Sequence, residues 1–168
     1  MQNSHIIGGE FGINLQGFQY AQSNNGFLEG IYKYSSGRSA LYYILLDVQK
    51  RYGITTAYLP NYLCSSVVVA AEKSQVKVVF YNLNDQLEID IEKFPLDDNE
   101  KAAVLLINYF GLKSLQLQVE LVRSISMEAI VIEDDVQAFY EFCKPELAAD
   151  YKFTSLRKTF ACPDGEDC

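Results

Sequence analysis

The sequence has little of what many catalytic sites require, and these shortages narrow the possible classes of protein. It contains a single histidine, His5, so a histidine triad, a multi-histidine zinc site or a histidine-centred proton relay is not expected. Its four cysteines include no Cys-x-x-Cys pair. Without an export signal, a disulfide framework is not expected either. No apolar run approaches the roughly 20 residues of a membrane span.

Basic residues are also scarce. Lysine and arginine number 14 against 22 aspartates and glutamates, which gives a net charge of −8. This balance argues against a non-specific nucleic-acid binder and against attachment to an anionic membrane. Residues 1–9 contain no basic segment followed by an apolar one, so no signal peptide is predicted and the expected location is cytoplasmic.

What is present suits a globular α/β domain. The 168 residues are 49% hydrophobic, enough to form one domain with a core of its own. Residues 1–35 show weak periodicity and are interpreted as an N-terminal arm. Alternating helical and strand patterns follow, with helices predicted over 39–52, 61–73 and 115–125, and strands over 56–59, 76–83, 102–109, 129–133 and 151–155.

The segment 115–125 fits both a strand alternation and a helical face. We choose the helix, because two buried parallel strands need a crossover between them. Gly53 is expected to end the first helix in a left-handed conformation. The resulting fold class is a three-layer α/β structure, in which a mostly parallel sheet carries helices on both faces.

In open α/β sheets, ligands bind beyond the carboxyl ends of the strands. The first helix opens with Ser36, Gly37, Arg38 and Ser39. Free amides at a helix start form an anion site, which would suit a phosphate. Simple N-capping by Ser36 or Ser39 would produce the same pattern, so both interpretations stay open.

Two further strand ends carry charged groups. Lys158 follows the last predicted strand, where we expect its amine to be partly desolvated, and a neutral amine is what Schiff-base chemistry requires. A solvated surface lysine is the alternative. Glu133, Asp134 and Asp135 are three adjacent acids. Their mutual repulsion needs compensation, either from a bound cationic group or from solvent.

The order of these motifs resembles that of the pyridoxal-phosphate-dependent aminotransferases of fold type I, and within them the DegT-like sugar aminotransferase family. The matching stretches cover nearly the whole chain, although no single one is specific. They are SGRSALYYIL (36–45), YLPNYLCSSVV (58–68), VLLINYFG (104–111), VIEDDVQAFY (131–140) and DYKFTSLRKTFACPDG (150–165).

The resemblance implies pyridoxal phosphate as cofactor and assigns roles by position. Lys158 matches the lysine that binds the cofactor covalently and moves protons between the substrate α-carbon and cofactor C4′. Asp134 matches the aspartate that keeps the pyridine nitrogen protonated. Gln137 matches the residue near the phenolic oxygen of the cofactor.

The remaining matches concern the phosphate and the cofactor ring. Gly37 and Arg38 match backbone donors to the phosphate, and Ser155 matches a hydroxyl that contacts it. Cys64 stands where many relatives have an aromatic ring stacked on the pyridine. A thiol cannot stack, so Tyr62 is the expected substitute, or the contact is lost.

The resemblance also implies a reaction and a partner. Glutamate would be the small-molecule amino donor and a nucleotide-linked keto sugar the acceptor. Relatives build their active sites across a two-fold homodimer interface, to which the arm at 1–35 would contribute. No metal is expected.

The resemblance departs at the end of the printed sequence. In relatives, the stretch matching 163–165 continues with another glycine, an antiparallel strand and a second, smaller domain, whereas this sequence stops at Cys168. Residues 36–168 would therefore form a partial cofactor-binding domain. We expect the missing strand to lie between 56–59 and 151–155, leaving a gap inside the sheet.

Three functional hypotheses follow. The first is an aminotransferase-like protein with impaired activity. The second is a catalytically inactive remnant that persists alone or as the partner of an intact relative. The third is an α/β module that binds another phosphate ligand at residues 35–39, with Asp134 and Lys158 serving only the structure.

Overall fold

The computed structural model describes residues 31–144 and 148–160. The predicted N-terminal arm lies outside these residues, apart from 31–35. The helices are α1 (Gly37–Tyr52), α2 (Ser65–Ser74), α3 (Gln116–Ile125) and the short α4 (Phe139–Phe142). The strands are β1 (Thr56–Pro60), β2 (Lys77–Tyr81), β3 (Ala103–Ile107), β4 (Ile130–Asp134) and β5 (Tyr151–Phe153).

The five strands form one sheet in the order β2-β1-β3-β4-β5, and every pairing between neighbours is parallel. The predicted α/β fold class is therefore confirmed. The ambiguous segment is a helix, α3, and it makes the crossover from β3 to β4 as expected for parallel neighbours. Among the described residues, no helix is long and apolar enough to cross a membrane.

Each face of the sheet has its own core, because successive strand residues point to opposite faces. Ile132 and Phe153 pack with α1 and α2, whereas Val131 packs with α3 on the other face. All five residues of β3 are buried. This matches the continuous apolar run from which a strand covered on both faces was predicted.

The expected gap inside the sheet is wrong. The prediction placed the strand at 56–59 next to a missing neighbour, but β1 pairs with β2 on one side and with β3 on the other. β5 forms one edge of the sheet and pairs with β4. The expectation came from the sheet order that the family resemblance implies, whereas in this sheet β3 and β4 lie between β1 and β5.

The second helix begins later than predicted, at Ser65 rather than at residue 61. The Asn61 amide still donates to the Tyr81 carbonyl at 2.8 Å, so the chain stays beside β2 after β1 ends. Cys64, the residue before the helix, has extended backbone angles (φ −73°, ψ 139°). Tyr62 and Cys64 therefore lie in a loop at the carboxyl end of β1.

Both ends of α1 carry capping residues that were identified in the sequence. The Ser36 hydroxyl accepts a hydrogen bond from the Ser39 amide at 3.2 Å and caps the start. Gly53 adopts the predicted left-handed conformation (φ 70°), and its amide donates to the Gln49 carbonyl. α2 ends in the same geometry, but the left-handed residue is Gln75 (φ 62°).

This difference between the two helix ends predicts opposite effects on stability. Nothing lies within 4 Å of a Cβ placed on Gly53, so Gly53→Ala should cost about 1 kcal/mol through backbone conformation alone. Gln75→Gly should stabilise by up to about 1 kcal/mol, because it relieves a strained residue. Urea unfolding of both variants tests this; equal effects of the same sign would contradict it.

Candidate functional site

The sheet has a point where its connections change direction, between β1 and β3. From β1 the chain moves outward to β2, whereas from β3 it moves the other way to β4 and β5. Pairing between β1 and β3 ends at Tyr58 and Val104, before either strand ends. The two carboxyl ends therefore leave the ladder, which is where α/β sheets form a ligand crevice.

Two tyrosines lie beside this crevice. Tyr62 follows β1 and is 60% exposed, and Tyr109 follows β3. Their ring centroids are 5.7 Å apart, and the Tyr109 hydroxyl donates to the Tyr62 carbonyl oxygen. Burial raises the pKa of Tyr109, and the negative charge of Asp134 raises it further. Tyr62 therefore presents an accessible aromatic ring at the edge of the crevice, supported by Tyr109.

The start of α1 lies against the ends of β4 and β5. A Cβ placed on Gly37 would come within 3.2 Å of Val136 Cγ2 and 3.6 Å of Ser155 Cβ. The absence of a side chain therefore permits the close approach of the helix start. The N-capping interpretation of Ser36 is confirmed by its bond from Ser39. That bond leaves the first amides of the helix available to an anion, and this role stays a prediction.

Asp134 ends β4 on the same face of the sheet as α1. Its side chain is almost fully buried, and among the described residues its hydrogen bond is the one that Oδ1 accepts from the Val136 amide at 3.0 Å. Burial raises the pKa of Asp134 to about 6, and the nearby charge of Asp135 contributes in the same direction. A cationic group bound beside this carboxylate would offset the cost of its burial.

Gln137 and Arg38 lie at the exposed margin of this region. Gln137 Oε1 accepts a hydrogen bond from the Phe110 amide at 3.3 Å, so the loop after β4 meets the loop after β3. Arg38 is in the first turn of α1 with its side chain exposed. The structure thus brings Gln137 to the crevice and leaves the Arg38 side chain in solvent.

Cys64 follows β1 and Lys158 follows β5, so the two residues lie on opposite sides of β3 and β4. Lys158 ends a 3-10 turn after β5, and its side chain is exposed. The expected partial desolvation of Lys158 is therefore wrong, since the turn carries it beyond the covered strand. A hydrogen bond from the Ser66 hydroxyl lowers the pKa of Cys64 most, and the charge of Lys158 lowers it further. Lys158 and Cys64 are thus close enough to interact electrostatically.

The three adjacent acids do not share one surface. Asp134 faces the α1 side, whereas Glu133 and Asp135 point to the opposite face, where both are buried. Their compensation comes from Lys152 of β5, whose Nζ lies 3.9 Å from Glu133 and 3.6 Å from Asp135. Within the described ranges, no group of three or more metal-ligating side chains is arranged to hold a metal ion.

Lys152 and Asn108 are the residues that sequence reasoning missed. Asn108 is buried at the end of β3, and its side-chain amide donates to Asp135 at 3.1 Å. The one sequence signal for this cluster was Lys152, a lysine inside the predicted strand 151–155, which follows a predicted strand that ends in acidic residues. Recognising it required knowing that β4 and β5 pair in the register Glu133 to Lys152.

Comparison with known proteins shows that this chain shares its fold with part of a larger protein. No protein-family model and no curated protein matches the sequence. A chain of the complex between SepCysS and the SepCysE N-terminal domain is similar in structure, with a TM-score of 0.59 and 15% identity. The match covers 80% of this chain and 39% of that chain, so the present sequence spans well under half of the relative's length.

Two aminotransferases match over a smaller region. Aspartate aminotransferase from the cytoplasm of Saccharomyces cerevisiae has a TM-score of 0.45 and 19% identity, covering 60% of this chain and 27% of its own. An aromatic amino acid aminotransferase from Burkholderia cenocepacia J2315 has a TM-score of 0.47 and 14% identity, covering 61% and 28%.

The buried carboxylate of Asp134 predicts a pH-dependent stability. Because folding raises its pKa from the ordinary 3.8 to about 6, folding favours the protonated form. This stabilisation is fully present below about pH 4 and is lost as the pH rises through about 6. Over that interval the unfolding free energy should fall by roughly 3 kcal/mol relative to Asp134→Asn.

Urea unfolding of both proteins at several pH values measures this difference. Asparagine keeps an oxygen for the Val136 amide, so the comparison isolates the ionisation. A difference in stability that is constant across the interval would show that Asp134 titrates as an ordinary exposed carboxylate.

Proposed function

We propose that this chain forms the pyridoxal phosphate site of an aminotransferase-like protein. The observation that carries the proposal is the buried carboxylate of Asp134 at the end of β4, which binds the amide of Val136, the residue that packs against Gly37 at the start of α1. One compact group with a cationic ring nitrogen and a phosphate would complement both features. The order of motifs that resembles the fold-type I aminotransferases supports the same ligand.

The local geometry fits this cofactor in two respects. A Cβ on Gly37 would crowd Val136 Cγ2 at 3.2 Å, so glycine lets the start of α1 pack against the chain after β4, and the first amides of α1 are available to a phosphate. Ser155 Cβ lies 3.6 Å from the same position, so Ser155 adjoins the helix start. Among the described residues, the buried Asp134 carboxylate accepts one amide hydrogen bond, and burial raises its pKa, so a cationic ring nitrogen beside it would offset the cost of its burial.

The roles of the other residues follow from these two anchors. Asp134 would hold the proton at the ring nitrogen, and Lys158 would attach the cofactor covalently and move a proton at the substrate α-carbon. Gln137 would lie near the phenolic oxygen. The chemistry supplied by the bound cofactor is that of an electron sink, which stabilises negative charge at the carbon that loses its proton.

Tyr62 and Cys64 would flank the ring. The exposed Tyr62 ring, supported by Tyr109, is an available aromatic surface on the β1 side of the crevice. Cys64 lies at the start of α2, and the positive charge of Lys158 helps to lower the pKa of its thiol. Together they would enclose the cofactor from the β1 side, while Asp134 and Lys158 approach from β4 and β5.

The substrate belongs to the proposal as well. By resemblance to DegT-like sugar aminotransferases, the amino group would pass from glutamate to a nucleotide-linked keto sugar in the cytoplasm. The expected partner is a second copy of this chain. An inactive relative that binds the cofactor without turnover is the alternative, and a transamination assay with glutamate and keto sugars separates the two.

Covalent binding at Lys158 is the first test of the proposed site. Mixing the protein with pyridoxal phosphate should produce a near-visible absorption band, and reduction with borohydride should fix the cofactor to Lys158 in peptide mass spectra. Lys158→Ala should remove both signals. Lys101→Ala is the matched control, because Lys101 is also an exposed lysine but lies beside Glu128 at the amino end of β3.

Loss of the band in both variants, or in neither, would reject Lys158 as the attachment site. Saturable binding of inorganic phosphate to a protein that never attaches the cofactor would instead favour the phosphate-binding module.

Protection of Cys64 from alkylation is the second test. Cys64 is exposed and its pKa is lowered, so it should react readily with a maleimide. Bound cofactor should slow this reaction, both by covering the thiol and by removing the positive charge of Lys158. Cys143 is the internal control, since burial raises its pKa and its rate should not change. Equal rates at Cys64 with and without cofactor would place the ligand elsewhere.

A further inference from the structure

Asp135 lies directly behind the candidate site. It follows Asp134 in the chain but points to the opposite face of the sheet, and it is 0% exposed. A fully buried carboxylate is costly unless other groups compensate it. The contacts that Asp135 makes therefore indicate what it does for the residues around it.

Its backbone joins β4 to β5. The Asp135 amide donates to the Phe153 carbonyl at 2.8 Å, and its own carbonyl accepts from the Thr154 hydroxyl at 2.9 Å and the Ala138 amide at 2.9 Å. Thr154 immediately precedes Ser155. These bonds therefore determine where the chain leaves β5 towards Ser155 and Lys158.

Its side chain joins β4 to β3. Asp135 Oδ1 accepts a hydrogen bond from the Asn108 side-chain amide at 3.1 Å. The Asn108 backbone amide in turn donates to the Asp134 carbonyl at 2.9 Å. Asn108 thus holds both acids at the end of β4, one through its backbone and one through its side chain, and it immediately precedes Tyr109.

Lys152 supplies the opposite charge. Its side chain is 8% exposed, and its Nζ lies 3.6 Å from Asp135 Oδ2, an atom without a hydrogen-bond partner among the described residues. The same Nζ donates to the Glu141 carbonyl at 2.9 Å and lies 3.9 Å from Glu133. The cation is therefore held among three oxygen groups by contacts from β4 and α4.

Other ionisable groups face this cluster. A cavity of about 70 Å³ beside it is lined by Glu133, Lys152, and Glu141 and Lys144 of the α4 region. Cys143 lies close enough to Lys152 and Asp135 for both charges to act on the pKa of its thiol. Burial raises the pKa of Glu133, and the charge of Asp135 raises it further. The charge of Lys152 acts in the opposite direction on the pKa of both Glu133 and Asp135, so Lys152 is the cation that the two acids share.

We infer that Asp135 is a positioning residue of the candidate site, which holds the carboxyl ends of β3, β4 and β5 together, with Lys152 as the cation that permits its burial. This inference rests on the proposed function, because the three strand ends carry Tyr109, Asp134 and Ser155. Asp135 acts from the far face of the sheet and touches no ligand itself.

Its charge acts on the same site. Asp135 raises the pKa of Asp134 through its negative charge, so neutralising Asp135 should lower the midpoint at which Asp134 titrates. Any charge at this distance acts on Asp134, so the midpoint tests the charge of Asp135, whereas the amide signals and the cofactor affinity test its positioning role. The position and the ionisation of Asp134 are therefore two separable readouts.

The experiment compares three variants of the full chain. Asp135→Ala removes the bond from Asn108 and the charge, whereas Asp135→Asn keeps an oxygen for Asn108 and removes the charge, leaving Glu133 as the acid beside Lys152. Asp150→Ala is the matched control, because Asp150 also bonds a strand amide (Val131) and a cation (Arg123), but at the amino end of β4. Cofactor affinity is measured by titration with pyridoxal phosphate.

We expect Asp135→Ala to weaken cofactor affinity by roughly tenfold, as for the loss of a buried hydrogen bond to a charged group. Asp135→Asn should recover most of this loss. Asp150→Ala should lower stability while leaving affinity unchanged. Wild-type affinity in Asp135→Ala, or an equal loss in Asp150→Ala, would overturn the inference.

The cofactor-free protein provides an independent readout. In ¹³C-labelled protein, with the Asp134 carboxyl signal assigned through Asp134→Asn, the titration midpoint of Asp134 should fall in Asp135→Asn. Amide signals of Asn108, Asp134 and Ser155 should shift in Asp135→Ala and stay in place in Asp150→Ala. Unchanged midpoint and unchanged signals would overturn the inference.

These measurements separate the two proposals. If the wild-type protein binds no pyridoxal phosphate, the proposed function fails, while the titration and amide signals still decide the role of Asp135. If Asp135→Ala does not fold, Asp135→Asn carries the titration test alone.

Discussion

The parallel pairing of β3, β4 and β5 is the constraint on which the candidate site depends. Parallel strands place all their carboxyl ends at one edge of the sheet, so Asn108, Asp134 and Ser155 converge although they are distant in sequence. Since both faces of these strands are covered, the polar groups at that edge are largely removed from water. Each buried group must then find a partner or remain available to a ligand.

The acids at the end of β4 divide between these two outcomes. Strand alternation sends Glu133 and Asp135 to the α3 face, where Lys152 and Asn108 compensate them, and sends Asp134 to the α1 face. Among the residues that the structure describes, the Asp134 side chain accepts one amide hydrogen bond, and burial raises its pKa. On one face the charge of the acids is therefore offset by Lys152, while the other face holds a carboxylate whose burial a cationic ligand would offset.

Much of the local structure was predictable because it depends on residues close in sequence. Ser36 and Gly53 bound α1 as expected, and the apolar run at 102–109 contains a strand buried on both faces. The start of α2 was not predictable, because the chain stays beside β2 through the hydrogen bond from Asn61 to Tyr81. Because that bond joins residues twenty positions apart, no local sequence pattern predicts it.

The sequence by itself determined the five strands, the three longer helices, the α/β class and the residues that follow each strand, because periodicity, caps and strand-end positions are local properties. Only the tertiary structure decided which strands are neighbours, and with them the partners of the buried charges. It set β1 between β2 and β3, left Lys158 exposed, and brought Lys152 to Asp135. These outcomes depend on long-range pairing, which is selected by the burial of the whole sheet rather than by any one segment.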